Sequence, residues 1–476
     1  MPANVVGCSH WSISPFTHEV LPPVPIPAVK PPFTTAAGST HKLSSPESSP
    51  YKMQQRKRVT VCGGGIVGVC TAYFLSQKGA SVILIEKSSI ASAASGKAGG
   101  FLALDWCDGG PLSSLSRASF NLHRSLAHDL NGSQSYGYRP VTTLSLTIHD
   151  SHHSRAVKNV PGWIDGPARG ASIIGTTETT AQVHPGLFTS TILSKAVKDF
   201  RVEVVIGKVV RVEVAGSWVE SVVLEDGRVF ESDAVVLSLG PWSGKFDSLG
   251  SLFRVYGLKA HSIVLEPKDM DKITSHALFL SYVSADGGKV IDPEVYPRPT
   301  GEVYLCGMSS EAEVPEDPQE ISGDPASLAT LKRVAETVSS HLSSENAQLK
   351  AEQACFLPCT DDGIPIIGEV PGQKGCFVAT GHGCWGILNG PATGAAVAEL
   401  VMDGCSSIVD LQPFSPARFL VSDLGYDPFS FCLDAPCLHM ESGAGSNGSL
   451  RQRFSLVVFT EGKQYALIAF LKKALL

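Results

Sequence analysis

Val59 to Lys87 reads VTVCGGGIVGVCTAYFLSQKGASVILIEK, and this stretch decides the fold. Val59 to Cys62 is a run of β-formers that stops at glycine. Gly63, Gly65 and Gly68 give G-x-G-x-x-G, and Ile66 to Lys78 is patterned as a helix behind them. A second apolar strand, Ser81 to Ile85, ends on Glu86, with Lys87 next. Each spacing has a physical reason. Gly63 permits the tight strand-to-helix turn, and Gly65 lets a pyrophosphate approach the backbone. Gly68 and Ala72 keep the helix close to the sheet. The helix N-terminus, including the amides of Ile66 and Val67, offers N–H donors and the positive dipole end to phosphates. Glu86 stands where a carboxylate accepts the hydroxyls of an adenosine ribose, which disfavours NADP and leaves FAD and NAD open.

Composition excludes several classes. The chain has 476 residues, 43% hydrophobic and 17% charged, enough for a large core. A net charge of −7 gives no footprint for nucleic acid. The 12 cysteines contain no C-x-x-C and no zinc spacing, so they read as free thiols of a reducing compartment, and no metal site is expected. No apolar run reaches the ~18 residues of a transmembrane helix. Residues 1–55 are rich in Pro, Ser and Thr and read as a disordered leader. The expected location is cytoplasmic, with import into a plastid or other organelle through residues 1–55 as the alternative.

Ser88 to Gly110, SSIASAASGKAGGFLALDWCDGG, is a small-residue stretch suited to lie flat against a planar ligand. Ser113 to Leu130 reads as a helix, Tyr138 to Ile148 and Ala171 to Gly175 as strands, and the loop between carries His152 and His153, a solvated pair. A helix through Lys198 follows Ala181 to Pro185. Arg201 to Val214 and Ser221 to Phe230 read as a hairpin turning at Asp226-Gly227. Asp233 to Gly240 (DAVVLSLG) is a buried parallel-type strand leading into Gly240-Pro241-Trp242. Gly257 to Glu266 and Tyr296 to Met308 read as antiparallel strands of a covering sheet, and Ser327 to Leu342 as a helix. Cys376 to Thr380 is a strand and Pro391 to Met402 a small-residue helix. The second G-x-G-x-x-G between them (Gly381, Gly383, Gly386) lacks a following strand with a terminal acid, so it reads as amides aimed at an electron-rich atom. Asp361 and Asp362 read as a turn. The tail FSLVVF and YALIAFLKKALL reads as a docking helix or a stretch outside the fold.

These residues resemble the D-amino-acid oxidase and sarcosine oxidase superfamily of FAD-dependent oxidoreductases, in particular a eukaryotic branch known only as oxidoreductases. The resemblance covers roughly Arg58 to Phe419 and rests on four places: the opening glycine motif with Glu86, ASGKAGGFLA, SDAVVLSLGPWS, and TDDGIPIIG with GHGCWGILNGPATG. It implies an α/β fold: a Rossmann-like FAD domain of the GR2 type built from 56–140, 181–247 and 351–420, and a mixed or antiparallel substrate sheet built from 141–180 and 248–350. Residues 421–476 form an extension. By resemblance, Gly63, Gly65, Gly68 and Glu86 hold the ADP half, and Ser95, Gly96, Ala98 and Gly99 lie along the pyrophosphate and flavin. Val209 meets the adenine, Gly240 and Trp242 border the nucleotide, and Gly383, Gly386 and Leu388 line the pyrimidine side of the ring.

The departures bear on the substrate. Members that oxidise amino acids carry an Arg where this chain has Leu357, and sarcosine-oxidase-like members carry a Lys where it has Trp385. Both usual carboxylate anchors are replaced, which favours a larger or less charged amine; Lys97, Lys259 and Arg298 are the substitute cations. Cys355 occupies the place of the cysteine that attaches covalently to flavin in sarcosine-oxidase-like members, or is a core thiol. His261, on a strand expected to face the ring, and His382 are the candidates, with Lys97, for tuning flavin or positioning substrate. The expectation is an FAD-dependent oxidoreductase that oxidises a C–N bond of an amine-like small molecule and passes electrons to O2 or another acceptor. The alternatives are a flavin-fold binding or trafficking factor and an NAD-dependent dehydrogenase. Oligomeric state is not legible.

Overall fold

The computed structural model describes residues 56–150, 160–285, 288, 290–420, 456–460 and 463–467. The leader, the His152–His153 loop and most of 421–476 lie outside the described residues. The chain opens with β1 (Arg58–Cys62), α1 (Ile66–Gln77) and β2 (Ser81–Glu86). Next come α2 (Ala94–Lys97), β3 (Phe101–Ala103), α3 (Ser113–Asp129), α4 (Gly132–Ser135) and β4 (Arg139–Pro140). β5 (Thr142–His149), β6 (Ala168–Gly175), β7 (Thr180–Gln182) and α5 (Pro185–Phe200) follow. The middle contains β8 (Glu203–Ile206), β9 (Val209–Ala215), β10 (Trp218–Leu224), β11 (Val229–Glu231), β12 (Ala234–Leu237) and α6 (Asp247–Gly250). Then come β13 (Val255–Pro267), β14 (His276–Val283), β15 (Glu294–Pro297), β16 (Val303–Glu311), α7 (Pro325–Val338) and β17 (Ala347–Thr360). β18 (Ile366–Glu369), β19 (Cys376–Thr380) and α8 (Gly386–Asp403) complete the main unit.

A six-stranded sheet has the order β18-β19-β12-β1-β2-β8, parallel except for β18. α1 lies on it, and α8 lies close against α1. That approach explains the small residues of α8: a Cβ on Gly394 would stand 2.6 Å from the Thr71 nitrogen, and one on Gly390 2.8 Å from Ile66 Cγ1. A seven-stranded sheet has the order β17-β13-β16-β15-β14-β5-β6, antiparallel except for β14 with β5. Leu278, Val295, Val303, Leu305 and Ile263 point from one of its faces into a core shared with Leu331 and Val334 of α7. Tyr296, Tyr304 and Val264 belong to the opposite face, with Phe101 of β3.

Several elements depart from the sequence reading. The expected hairpin after α5 is two things. β8 is an edge strand parallel to β2, reached through Arg201 in the left-handed region (φ 60°). β9, β10 and β11 form a separate meander, whose first turn is at Gly216 and second at Asp226-Gly227. Tyr296 to Met308 is a hairpin instead of one strand, because Pro299 and Gly301 (φ 92°) bend the chain and the Gly301 N–H closes onto the Arg298 carbonyl at 3.0 Å. Tyr138 to Ile148 breaks between β4 and β5. α8 starts at Gly386, five residues before Pro391, which lies inside the helix. A second unit, Gly425–Leu476, contains β20 (Leu456–Thr460) paired antiparallel with β21 (Lys463–Leu467), so these described residues are strands and not helix; the rest of the tail lies outside the described residues.

Candidate active site

At the C-terminal ends of β1, β2 and β12 lies an open cavity. Its first wall is the glycine turn. Gly63 takes φ 112°, and a Cβ there would stand 2.2 Å from the Ser238 carbonyl oxygen; one on Gly68 would stand 2.0 Å from the Gly63 oxygen. These two glycines are demanded by the packing of strand, turn and helix. Gly65 differs: the nearest atom to its missing Cβ is Ser95 Oγ at 3.2 Å, and the residue borders the cavity. Ser95 Oγ accepts the Ile66 N–H at 2.9 Å, tying the 88–110 stretch to the N-terminus of α1. Helix geometry leaves the first-turn amides without intrahelical acceptors, and Ile66 and Val67 line the cavity there. Glu86 is held by the N–H groups of Gly64 (2.6 Å) and Ser88 (2.9 Å), and lines the cavity with Lys87 and Val209.

The far wall comes from distant chain segments. Ser238 to Trp242 follows β12, with Gly240 at φ 54°. Trp242 Nε1 donates to the Pro315 carbonyl at 2.7 Å, and Lys245 pairs with Glu316 at 2.9 Å. Lys87 Nζ donates to the Glu316 carbonyl, so the segment around Pro315 straps the nucleotide-side rim. At the other end stand Ala98, Leu357, Pro358, His382 and Gly383, with Gly386 and Ile387 of α8. His382 is buried, bonds Thr393 Oγ1 through Nε2 at 3.0 Å, and burial pushes its imidazole down to about 4, so it is neutral at physiological pH.

The remaining sequence candidates are placed differently. Gly96 packs against the Ala91 carbonyl, and Gly99 lies under Tyr296, whose Cδ2 would be 2.4 Å from a Cβ. Leu388 is buried in the core between α1 and α8, and Trp385 packs on that same core; neither lines the cavity. Lys97 Nζ donates to the Ala354 carbonyl at 3.2 Å, beside Cys355. Burial pushes the Cys355 thiol up to about 11, with Lys97 pulling against the shift. Cys355 shares the strand face of Leu357 but does not border the cavity. His261 has the parity of Ile263 and Leu265, whose side chains enter the α7 core, so it faces away from Tyr304 and the cavity. Its Nδ1 donates to the Met308 carbonyl at 2.7 Å. His261 is on the expected strand, but plain alternation with Ile263 and Leu265 turns it to the α7 side; the irregularity beside it belongs to β16, where a three-residue step, Gly307 to Ser310, matches the two-residue step from His261 to Lys259. Arg298 is buried, donates to the Ala98 carbonyl at 3.1 Å, pairs with Glu302 at 3.5 Å and stacks its guanidinium over Tyr304. Sequence reasoning missed Ser92 to Ala94, Gly207-Lys208, Lys245 and Glu316, which line the cavity without carrying a motif.

Residues 58–400 match the family described as FAD dependent oxidoreductase. The chain belongs to the FAD-dependent oxidoreductase family. It is 31% identical over 392 residues to the oxidoreductase C1F5.03c of Schizosaccharomyces pombe, covering 76% of this chain and 99% of that one. It is 26% identical to the glycine oxidase of Geobacillus kaustophilus, covering 77% and 98%. The crystal structure of glycine oxidase from Geobacillus kaustophilus aligns with a TM-score of 0.62 at 21% identity, over 76% of this chain and 99% of that chain. The L-amino acid deaminase of Proteus myxofaciens aligns at 0.61 and 20% identity, over 78% and 96%. The cofactor of this oxidoreductase is therefore FAD, in place of NAD. The residues present fit the cofactor: the open side of Gly65, the first-turn amides of α1 and the Glu86 carboxylate form a cradle for a dinucleotide. Among the described residues no helix is long and apolar enough to cross a membrane, and no His/Cys/Asp/Glu cluster suits a metal.

Proposed function

We propose that this oxidoreductase oxidises a C–N bond of an apolar amine that lacks a free carboxylate. The distribution of cations along the cavity carries the reading. The lining cations are Lys87, Lys208 and Lys245, and all three belong to the end that holds Glu86, Val209 and Glu316. The opposite end is bounded by Ala98, Leu357, Pro358 and neutral His382, and Arg298 nearby is already committed to Ala98, Glu302 and Tyr304. Among the described residues no guanidinium lines that end of the cavity to fork a substrate carboxylate.

When bound, FAD would supply the two-electron acceptor for converting the amine to an imine. The chain's own residues bind and orient. Gly65 and Val67 would present amides to the pyrophosphate, Glu86 would accept the ribose hydroxyls, and Val209 would meet the adenine through its backbone. Gly383 and Gly386 border the cavity at the N-terminal end of α8, where their amides would stabilise negative charge on a bound ring. Leu357 and Pro358 exclude water from the reacting end. His382, kept neutral by burial, acts as a fixed hydrogen-bonding group.

Absorbance spectra of the purified protein, repeated on supernatant and pellet after acid precipitation, test the cofactor part. Flavin bands in the native protein and release to the supernatant are expected, with Cys355 remaining a thiol. Retention in the pellet would instead assign Cys355 as an attachment point. Anaerobic bleaching by secondary amines but not by glycine is the expected substrate result; bleaching by glycine alone would overturn the amine reading.

A further inference from the structure

The face of the seven-stranded sheet that carries Tyr296 and Tyr304 also carries a carboxyl that the functional reading does not use. Glu294 has the parity of Tyr296 on β15 and lies directly across from Phe279 on β14 and Cys306 on β16. Leu357, on the same face at β17, lines the cavity, and Gly99, next to the lining residue Ala98, abuts Tyr296 and Tyr304. Glu294 therefore shares the sheet face of Leu357, three strands across from it, without itself lining the cavity.

Its bonding is incomplete. Among the described residues Glu294 accepts hydrogen bonds from the Tyr296 hydroxyl and, at 3.4 Å, the Cys306 thiol, and no Lys, Arg or His pairs with it. A carboxylate has about four lone-pair sites, so half its capacity is unused. Arg298, two strand positions beyond Tyr296, is turned to Glu302 and Ala98 instead. Burial pushes the Glu294 carboxyl up from its ordinary range, against the pull of the Tyr296 and Cys306 donors, so a cation placed on it offsets a standing desolvation cost. Beside it Phe279 packs with Trp106 (4.8 Å between centroids), Phe101 (5.1 Å) and Tyr296 (5.9 Å). Glu294, Cys306, Phe101, Trp106 and Phe279 are half-buried, not fully enclosed, although they pack between the sheet and β3. One uncompensated carboxyl against a wall of aromatic faces is the surface that recognises an alkyl- or arylalkylammonium.

We propose that Glu294 is the ammonium anchor of the substrate subsite: the amine nitrogen docks on its carboxyl, and the apolar remainder lies against Phe101, Trp106, Phe279 and Tyr296. This deepens the amine-oxidation reading and rests on it. Glu294 is a specificity-determining residue here, one that sorts amines from amino acids.

The test titrates purified holoprotein anaerobically with N-methylbenzylamine, its uncharged isostere benzyl methyl ether, and benzoate, following flavin absorbance and Trp fluorescence. The amine is expected to bind at least ten-fold tighter than the ether or benzoate. E294Q should erase the difference between amine and ether with FAD content unchanged. Equal affinity for amine and ether in the wild-type protein overturns the anchor even if E294Q fails to fold, as does tighter binding of benzoate, or no response to any probe. A native protein without flavin after reconstitution contradicts the oxidoreductase reading beneath; flavin present with probe affinities indifferent to charge contradicts the anchor alone.

Discussion

His123 on α3 replaces the hydrogen bond that Pro391 removes from α8. Pro391 has no N–H for the carbonyl of Ile387, four residues earlier, and its ring crowds that oxygen. His123 Nε2 donates to it at 2.9 Å and also reaches the Leu388 carbonyl at 3.2 Å. Ser119 Oγ accepts the Ala392 N–H at 3.0 Å, and Ser116 donates to Asn389 Oδ1 at 3.0 Å. The first turns of α8, which border the cavity through Gly386 and Ile387, are thus fastened from a helix far away in the chain.

His123→Ala should cost about 2–4 kcal/mol, from a cavity and buried carbonyls left without a donor. Pro391→Ala restores an N–H for Ile387, so the double variant should lose less than the sum of the two single changes. Denaturant unfolding of all four proteins measures the coupling; strict additivity would remove the link between these residues.

Acid should destabilise the fold before the carboxylates titrate. Burial holds both His123 and His382 down to about 4, against 6.5 for an ordinary imidazole. Between these values the unfolded chain binds the two protons and the folded chain does not. Stability is therefore complete above pH 6.5 and falls as pH drops toward 4, by up to about 3 kcal/mol per histidine. Thermal melts between pH 7.5 and 4.5 should show this slope, and His123→Asn should flatten it by roughly half.

Gly63→Ala and Gly65→Ala should separate folding from cofactor binding. At Gly63 a side chain meets backbone at 2.2 Å in a left-handed conformation, so a loss of about 2 kcal/mol or more is expected with loss of flavin. At Gly65 only Ser95 Oγ is near, at 3.2 Å, so the melting temperature should stay close to wild type while flavin content collapses. The ratio of flavin to protein absorbance, read beside the melting curve, distinguishes the two.

Trp242→Phe should speed FAD release by about 3–10-fold, since it removes the buried-side bond to Pro315 that holds the strap, worth about 1 kcal/mol. Lys245→Ala should change it far less, because the Lys245–Glu316 pair is solvent-exposed and such pairs contribute about 0–1 kcal/mol. Recovery of free flavin fluorescence on dilution gives both rates; equal effects would show that charge, not the indole bond, holds the strap.

Local chemistry settled the nucleotide half of this protein. Gly63 at φ 112°, the apolar period of α1 and the acid at the end of β2 act over fewer than 30 residues, as the span Val59 to Lys87 shows, and no distant contact is needed to read them. Distant packing decided the rest. His261 turned away from the cavity because it alternates in step with Ile263 and Leu265, and only the packing of α7 against that face decides which side of β13 is core and which faces Tyr304. Trp385 packed on the helix core, leaving Leu357 by itself on the cavity wall. α8 runs through Pro391 because His123 and Ser119 satisfy its interrupted ladder from another helix, a compensation no local propensity contains. Glu294, just before the strand read from Tyr296, carried no signal until pairing put it across from Phe279 and Cys306. Backbone conformation is written in neighbouring residues; which side chains share a cavity is written in the pairing of strands, and that exists only once the chain has folded.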